Sequence, residues 1–149
     1  MKNVEKIKIL REETGAGVME VKNTLEKFDG DVDKARKDLM SKVSAKAAKK
    51  ADREAGDGLV YSYIHNNGKL GSMILMACET DFVAKNENFK ELCKEIAMQV
   101  CTEDYKKVKE VLEAPYMRDE SKTVQDLINE AIAKLGEKIE LKEFVKYAV

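Results

Sequence analysis

Leu59-Val60-Tyr61-Ser62-Tyr63-Ile64-His65-Asn66-Asn67-Gly68-Lys69-Leu70-Gly71-Ser72-Met73-Ile74-Leu75-Met76-Ala77-Cys78 is the stretch on which the fold turns. Its first arm, Leu59 to His65, is rich in Tyr, Val and Ile and has a period near two. Asn66-Asn67-Gly68 is a turn signal, and Leu70 to Cys78 continues as a second apolar run, so the segment reads as a β-hairpin. Met73 to Cys78 is apolar at every position. A strand of that composition belongs in the middle of a sheet, covered on at least one face.

Upstream of the hairpin the period is helical. Val4, Ile7 and Leu10 stand at i, i+3 and i+6. Thr14-Gly15-Ala16-Gly17 breaks that pattern, its glycines supplying turn conformations and Thr14 or a neighbour a cap for the next helix. Val18, Val21, Leu25 and Phe28 make the next stripe, stopped by Asp29-Gly30-Asp31, with Gly30 suited to a left-handed C′ position and Asp31 to the next N-cap. Val32, Ala35, Leu39 and Val43 make the third. From about Lys42 to Arg53 the stripe dissolves into Ser, Ala and Lys, which form helix without a wide buried face. The expected division is a three-helix module over residues 1–45, a helical, basic linker over 46–56, with a boundary near Gly56-Asp57-Gly58, and an α+β unit over 57–149.

Downstream, Phe89, Leu92, Cys93, Ile96, Ala97, Val100 and Cys101 fall on one helical face. Tyr105, Val108, Val111 and Leu112 suggest a shorter helix, ended by Pro115, the single proline. Val124, Leu127, Ile128, Ala131, Ile132 and Leu135 repeat the helical spacing between a Thr123/Asp126 capping pattern and a stop at Gly136. Ile139, Leu141, Val145, Tyr147 and Val149 alternate as a closing strand, with Glu143 interrupting the face. The fold class is α+β: a helical module, then a small antiparallel three-stranded sheet packed with helices.

The bulk properties narrow the function. Charged residues are 37% of 149, yet the net charge is −1; attraction to RNA or a membrane would have to be local. Eight Lys or Arg lie between Lys34 and Arg53 without interleaved aromatics, the pattern of a solvated helix face rather than a nucleic-acid surface. No apolar run approaches the roughly 18 residues of a membrane span. Met1 to Lys6 has mixed charge and no apolar segment behind it, unlike a signal peptide. Cys78, Cys93 and Cys101 have no zinc or disulfide spacing, which fits a reducing cytosol. His65, the lone histidine, sits at a hairpin turn. With no nucleophile–base pair and no phosphate-binding glycine loop, an enzyme has no site to rest on, and no cofactor or metal is expected.

Glu79-Thr80-Asp81-Phe82-Val83-Ala84-Lys85-Asn86 joins the central strand to the amphipathic helix and is too short to expect an element of its own. Spacing leaves two readings. Phe82 and Val83 tuck into the core with Asp81 as a turn or cap residue, or Phe82 faces outward as an aromatic anchor with Asp81 as its polar companion.

Cys78 to Asn86 resembles the signature of the elongation factor Ts family. Leu10-Arg11-Glu12-Glu13-Thr14-Gly15-Ala16-Gly17-Val18-Met19 resembles a second signature, and Ser121-Lys122-Thr123-Val124 through Ala133-Lys134-Leu135-Gly136-Glu137 to the last strand a third, in the family's order. The resemblance implies a ubiquitin-associated-like N-terminal module. It also implies a non-enzymatic exchange factor that helps elongation factor Tu, GDP-bound or nucleotide-free, release GDP in the cytoplasm. By the same resemblance Thr80, Asp81, Phe82 and Val83 form the loop that enters the partner's GTPase domain near its magnesium and nucleotide site. Leu10, Val18 and Met19 match positions where the N-terminal module meets the partner. Met19 lies off the apolar stripe, so periodicity also predicts it exposed; Leu10 and Val18 serve the module's own core equally well. Longer members of the family have two related core halves and a coiled-coil insertion. One hairpin is visible here, and pairing of two chains into a homodimer would supply the second half. The competing reading is a peptide-binding or ribosome-associated adaptor built on the three-helix module, which needs no intact Thr80–Val83 loop.

Overall fold

The computed structural model describes residues 2–149. Three helices come first: α1 (Asn3–Thr14), α2 (Val18–Lys27) and α3 (Val32–Lys49). Gly15 at φ +73° donates its N–H to the Arg11 carbonyl and closes α1. Gly30 at φ +79° does the same for the Leu25 carbonyl after α2, and the Asp31 carboxylate accepts from the Lys34 N–H to cap α3. Leu10, Ala16, Val21, Leu25, Ala35, Leu39 and Val43 meet in one small buried cluster. Val4 and Val18, expected on the buried stripes, are exposed. Both stand in the first turn of their helices and outside that cluster. Thr14 caps nothing downstream: its hydroxyl donates to the Leu10 carbonyl and accepts from the Ala16 N–H, while α2 starts at Gly17 without a side-chain cap.

The helical period of α3 runs without a break through residue 45 to Lys49, and Ala47 is buried against the second half of the chain. That half contains β1 (Asp57–Ile64), β2 (Leu70–Cys78), α4 (Asp81–Ala84), α5 (Glu87–Val100), α6 (Val108–Glu113), β3 (Pro115–Tyr116), β4 (Asp119–Thr123), α7 (Val124–Leu135) and β5 (Glu140–Ala148). β1, β2 and β5 form an antiparallel sheet with β2 in the centre, as its continuous apolar run predicts. The β1–β2 register runs from Asp57↔Cys78 to Ile64↔Gly71, and Gly68 closes the turn at φ +71°.

One face of the sheet carries the core. The cross-strand rows Leu59/Met76/Leu141 and Tyr61/Ile74/Phe144 lie under Phe89, Cys93 and Ile96 of α5. The one hydroxyl on β2's buried face, Ser72, donates to the Ala97 carbonyl at 2.6 Å. α7 packs behind, fixed by the reciprocal Thr123/Asp126 capping box and ended by Gly136 at φ +75°.

Two features go beyond the expectation. Pro115 does follow the end of the short helix, α6, whose C-cap is Ala114, but it also begins β3, which pairs with β4 in a short hairpin whose strands are too brief for a periodicity signal. Gln99 substitutes for apolar packing there, donating to the Pro115 carbonyl and accepting from the Met117 N–H. The closing strand also does not alternate throughout. Leu75 faces Glu143 but Met76 faces Leu141, so Lys142 is bulged out. Inside and outside exchange at the bulge: Leu141 and Phe144 point into the core, and Val145 and Tyr147 move to the open face.

The two halves are seated on each other. A Cβ at Gly15 would lie 2.6 Å from the Glu130 carbonyl oxygen and 3.2 Å from Ala133 Cβ, both on α7. Lys134 Nζ donates to the Glu12 carbonyl at 2.9 Å. Gly15→Ala therefore combines a left-handed residue, costing roughly 1–2 kcal/mol, with a backbone clash that pushes the module off α7. The expected result is a loss of about 2 kcal/mol or more in urea unfolding; an unchanged midpoint would mean that the module does not rest on α7.

Candidate functional site

The segment between β2 and α5 does form an element, a single helical turn. Thr80 leaves β2 in an extended conformation, and its hydroxyl accepts from the Val83 N–H at 3.4 Å. The Ala84 and Lys85 N–H groups then donate to the Thr80 and Asp81 carbonyls at 3.2 and 3.0 Å. The following residues restart the helix at once, with Asn86 capping α5 by accepting from the Asn88 N–H. A helix of four residues is too short for periodicity to register.

A turn of that length has an inside and an outside, and the two readings of Phe82 and Val83 are divided between them. Val83 and Ala84 are buried in the core beside Cys78 and Phe89. Phe82 points outward at 83% exposure, the most exposed aromatic ring of the chain's described residues, and Asp81 is exposed beside it, paired with Lys85 at 3.2 Å. An isolated exposed Phe costs apolar surface in water, on a turn whose opposite side is anchored.

The second group of sequence-predicted residues separates as sharply. Leu10 is fully buried in the three-helix cluster, where its side chain supports the module. Val18 and Met19, at 45% and 63% exposure, are open at the start of α2. A groove of about 780 Å³ runs from Val4, Arg11 and Val18 to Ala133 and Lys134 of α7 and Asn88 of α5. It places the exposed end of the module and the helix after the Phe82 turn along one side of the molecule.

Sequence reasoning did not single out Glu137. Its Oε1 accepts from the N–H groups of Glu79 and Thr80 at 3.1 and 3.0 Å, and its Oε2 from the Thr80 hydroxyl at 2.7 Å. Glu79 reciprocates, its Oε2 accepting from the Lys138 N–H at 2.6 Å and pairing with Arg53 at 3.4 Å. No spacing rule joins residues 57 positions apart.

Other groups carry no chemistry here. Burial pushes the Cys78 thiol up to about 11 and the Cys93 thiol up to about 12, both poor nucleophiles at neutral pH. Cys101, expected in the core, sits at the C-cap of α5 and is only half-buried. His65 is exposed and hydrogen-bonded to the Tyr63 hydroxyl. Among the described residues no cluster of His, Cys, Asp or Glu could hold a metal ion, and no helix is long and apolar enough to cross a membrane. Within the basic stretch, Lys34, Arg36, Lys42, Lys46 and Arg53 all have carboxylate partners, which leaves little charge for phosphates.

Comparison with known proteins gives one consistent result. The family profile described as Elongation factor TS matches residues 79–149. Over 188 aligned positions the chain is 38% identical to the elongation factor Ts of Coprothermobacter proteolyticus, with 96% of this chain and 95% of that protein covered. Over 192 positions it is 37% identical to that of Petrotoga mobilis, with 99% and 98% covered. Both alignments are longer than the chain itself, so these relatives contain residues with no counterpart here. The elongation factor Ts of Clostridium botulinum (Type Ba4) is 45% identical over all 149 residues, which span 48% of its length.

Proposed function

This chain belongs to the elongation factor Ts family of translation elongation factors, and from that premise we propose that it promotes GDP release from elongation factor Tu without bond-making chemistry of its own. The observation that carries the proposal is Phe82, an apolar ring held out in water by a turn whose other side is buried. In this reading the turn from Thr80 to Val83 enters the partner near its magnesium and nucleotide site. Phe82 is the intruding side chain, Asp81 a polar neighbour, Thr80 the cap and Val83 the anchor. Magnesium is often the largest local charge in a phosphate site, so disturbing its surroundings loosens the nucleotide efficiently. Val18 and Met19 add a second contact, on a helix whose Val21 and Leu25 share a buried cluster with Leu10. Residues 1–45 act as the partner-contacting module, 46–56 as its connection, and 57–149 as the core. The partner, GDP-bound or nucleotide-free, places the protein in the cytoplasm.

A homodimer completes this reading. The open face of the sheet presents Val60, Ile64, Met73 and Tyr147, all exposed and apolar, in adjacent cross-strand rows. Met73→Asp, at the middle of that face, should turn a dimer into a monomer in sedimentation equilibrium. A wild-type protein that sediments as a monomer at high concentration would remove the dimer from the proposal.

The deciding experiment tracks release of fluorescent GDP from elongation factor Tu with substoichiometric amounts of this protein. Catalytic acceleration supports the exchange-factor reading. A folded protein that gives none would favour the adaptor instead.

A further inference from the structure

We propose that Glu137 is a positioning residue for nucleotide exchange: it holds the turn that presents Phe82, without itself meeting the partner. The inference rests on the exchange-factor reading and extends it to a residue at the far end of the chain.

The physical problem is that a single helical turn has almost no stability of its own, because fixing its dihedrals is repaid by only one or two hydrogen bonds. α4 spans Asp81–Ala84 and makes two, from the Ala84 and Lys85 N–H groups. Burial of Val83 and Ala84 fixes its inner side. It does not fix the direction in which the chain leaves β2, and that direction aims Phe82. The direction is set at Thr80, at φ −131° and ψ +158°, and Glu137 acts there.

The Glu137 carboxylate accepts three hydrogen bonds from the two residues just before α4. Two come from the successive N–H groups of Glu79 and Thr80 and one from the Thr80 hydroxyl. Hydrogen bonds to a charged acceptor are roughly twice as strong as neutral ones. Donation of the Thr80 proton to Glu137 orients the hydroxyl so that a lone pair faces the Val83 N–H, and the carboxylate thereby also completes the N-cap of α4. The return bond from the Lys138 N–H to Glu79 fixes the backbone that carries Glu137. Two loops, one after β2 and one after α7, thus exchange carboxylates, and each orders the other. Glu137 is itself half-buried, so it acts through Thr80. Ordering a segment in its bound shape strengthens binding by removing the cost of ordering it during association.

The test measures GDP release against factor concentration for wild type, Glu137→Gln, Glu137→Ala, Phe82→Ala and the Glu137→Ala/Phe82→Ala double variant. Melting temperature and backbone amide exchange of each free protein are measured alongside. Glu137→Ala should raise the half-saturating concentration roughly tenfold while the release rate at saturation stays near that of wild type. Glu137→Gln, which keeps one oxygen acceptor, should fall between them and carries the test if the alanine variant does not fold. In the double variant the Glu137 change should add little to the Phe82 change, since its effect runs through that side chain. Amide exchange should quicken at Glu79, Thr80 and Val83 but not in α5. Full additivity in the double variant, or slowing that tracks melting temperature alone, would overturn the proposal in favour of general stabilisation. Wild-type behaviour of Glu137→Ala beside an impaired Phe82→Ala would overturn it and leave the exchange-factor reading standing. If wild type itself accelerates nothing, that reading falls; amide exchange at Glu79 and Thr80 then decides whether Glu137 orders the turn.

Discussion

Phe82→Ala should leave the protein folded and slow GDP release from elongation factor Tu by about one to two powers of ten. The two halves of this expectation have separate causes. In the free protein the ring is 83% exposed and has nothing to lose from truncation; surface changes of that kind stay within about 0.5 kcal/mol, or roughly 2 °C in the melting temperature of a chain this size. On the proposed reading the same ring leaves water when the complex forms. Burying a Phe is worth roughly 1.5–3 kcal/mol, and each factor of ten in nucleotide affinity needs about 1.4 kcal/mol of coupling. Val83→Ala is the internal control, since that neighbour is buried in the core and should lower stability instead. Stopped-flow release with calorimetry on the same samples checks both halves. A Phe82→Ala protein that melts early would mean that the ring belongs to the core.

The size of that effect constrains the rest of the mechanism. An exchange factor works by binding the nucleotide-free partner more tightly than the GDP-bound one, and linkage then weakens GDP by the same factor. One Phe cannot supply more than about two powers of ten. Larger acceleration has to come from contacts that hold the factor in place while the ring enters, and those need a rigid frame between the exposed end of α2 and the Phe82 turn. The frame is visible in Gly15 against the Glu130 carbonyl and in Lys134 bound to the Glu12 carbonyl. A flexible joint there would spend coupling energy on ordering the two contacts relative to each other.

How far these features were legible in the sequence depends on their range. The β1–β2 hairpin, the central position of β2 and the capping of α7 are local chemistry, readable from alternation, from Asn66-Asn67-Gly68 and from Thr123 with Asp126. The β5 bulge was half legible: Glu143 marked an interruption, but only the pairing with Leu75 shows that the strand exchanges faces there. The β3–β4 hairpin was not legible, because Gln99, a residue of another helix, satisfies its backbone. The site divides in the same way. Resemblance singled out Thr80 to Val83, yet which of the two apolar side chains faces outward depends on a four-residue turn that no period can describe. Glu137 meets that turn through a contact with no sequence signal. For Leu10 and Val18 periodicity offered the same two roles to both, and packing buries the first and leaves the second exposed.

That opposition yields the largest stability effect expected here. Leu10→Ala should cost about 2–5 kcal/mol, the range for a fully buried Leu, and Met19→Ala almost nothing. Leu10 is one of only seven buried residues in the cluster of the three-helix module, and it has no exposed surface. A core so small cannot absorb the cavity by repacking from a second layer, so the loss should appear as premature melting of helical circular dichroism, by roughly 5–15 °C. Met19 is well exposed, and alanine is the better helix former at its position, so the free protein should be unaffected. Its removal should instead raise the concentration of factor needed for half-maximal GDP release, by about three- to tenfold for the loss of a flexible apolar contact. The pair separates support from contact within a single helical module. A stable Leu10→Ala protein with weakened exchange would move Leu10 to the partner surface and require α1 to turn about its axis. Loss of stability in Met19→Ala would require the same of α2.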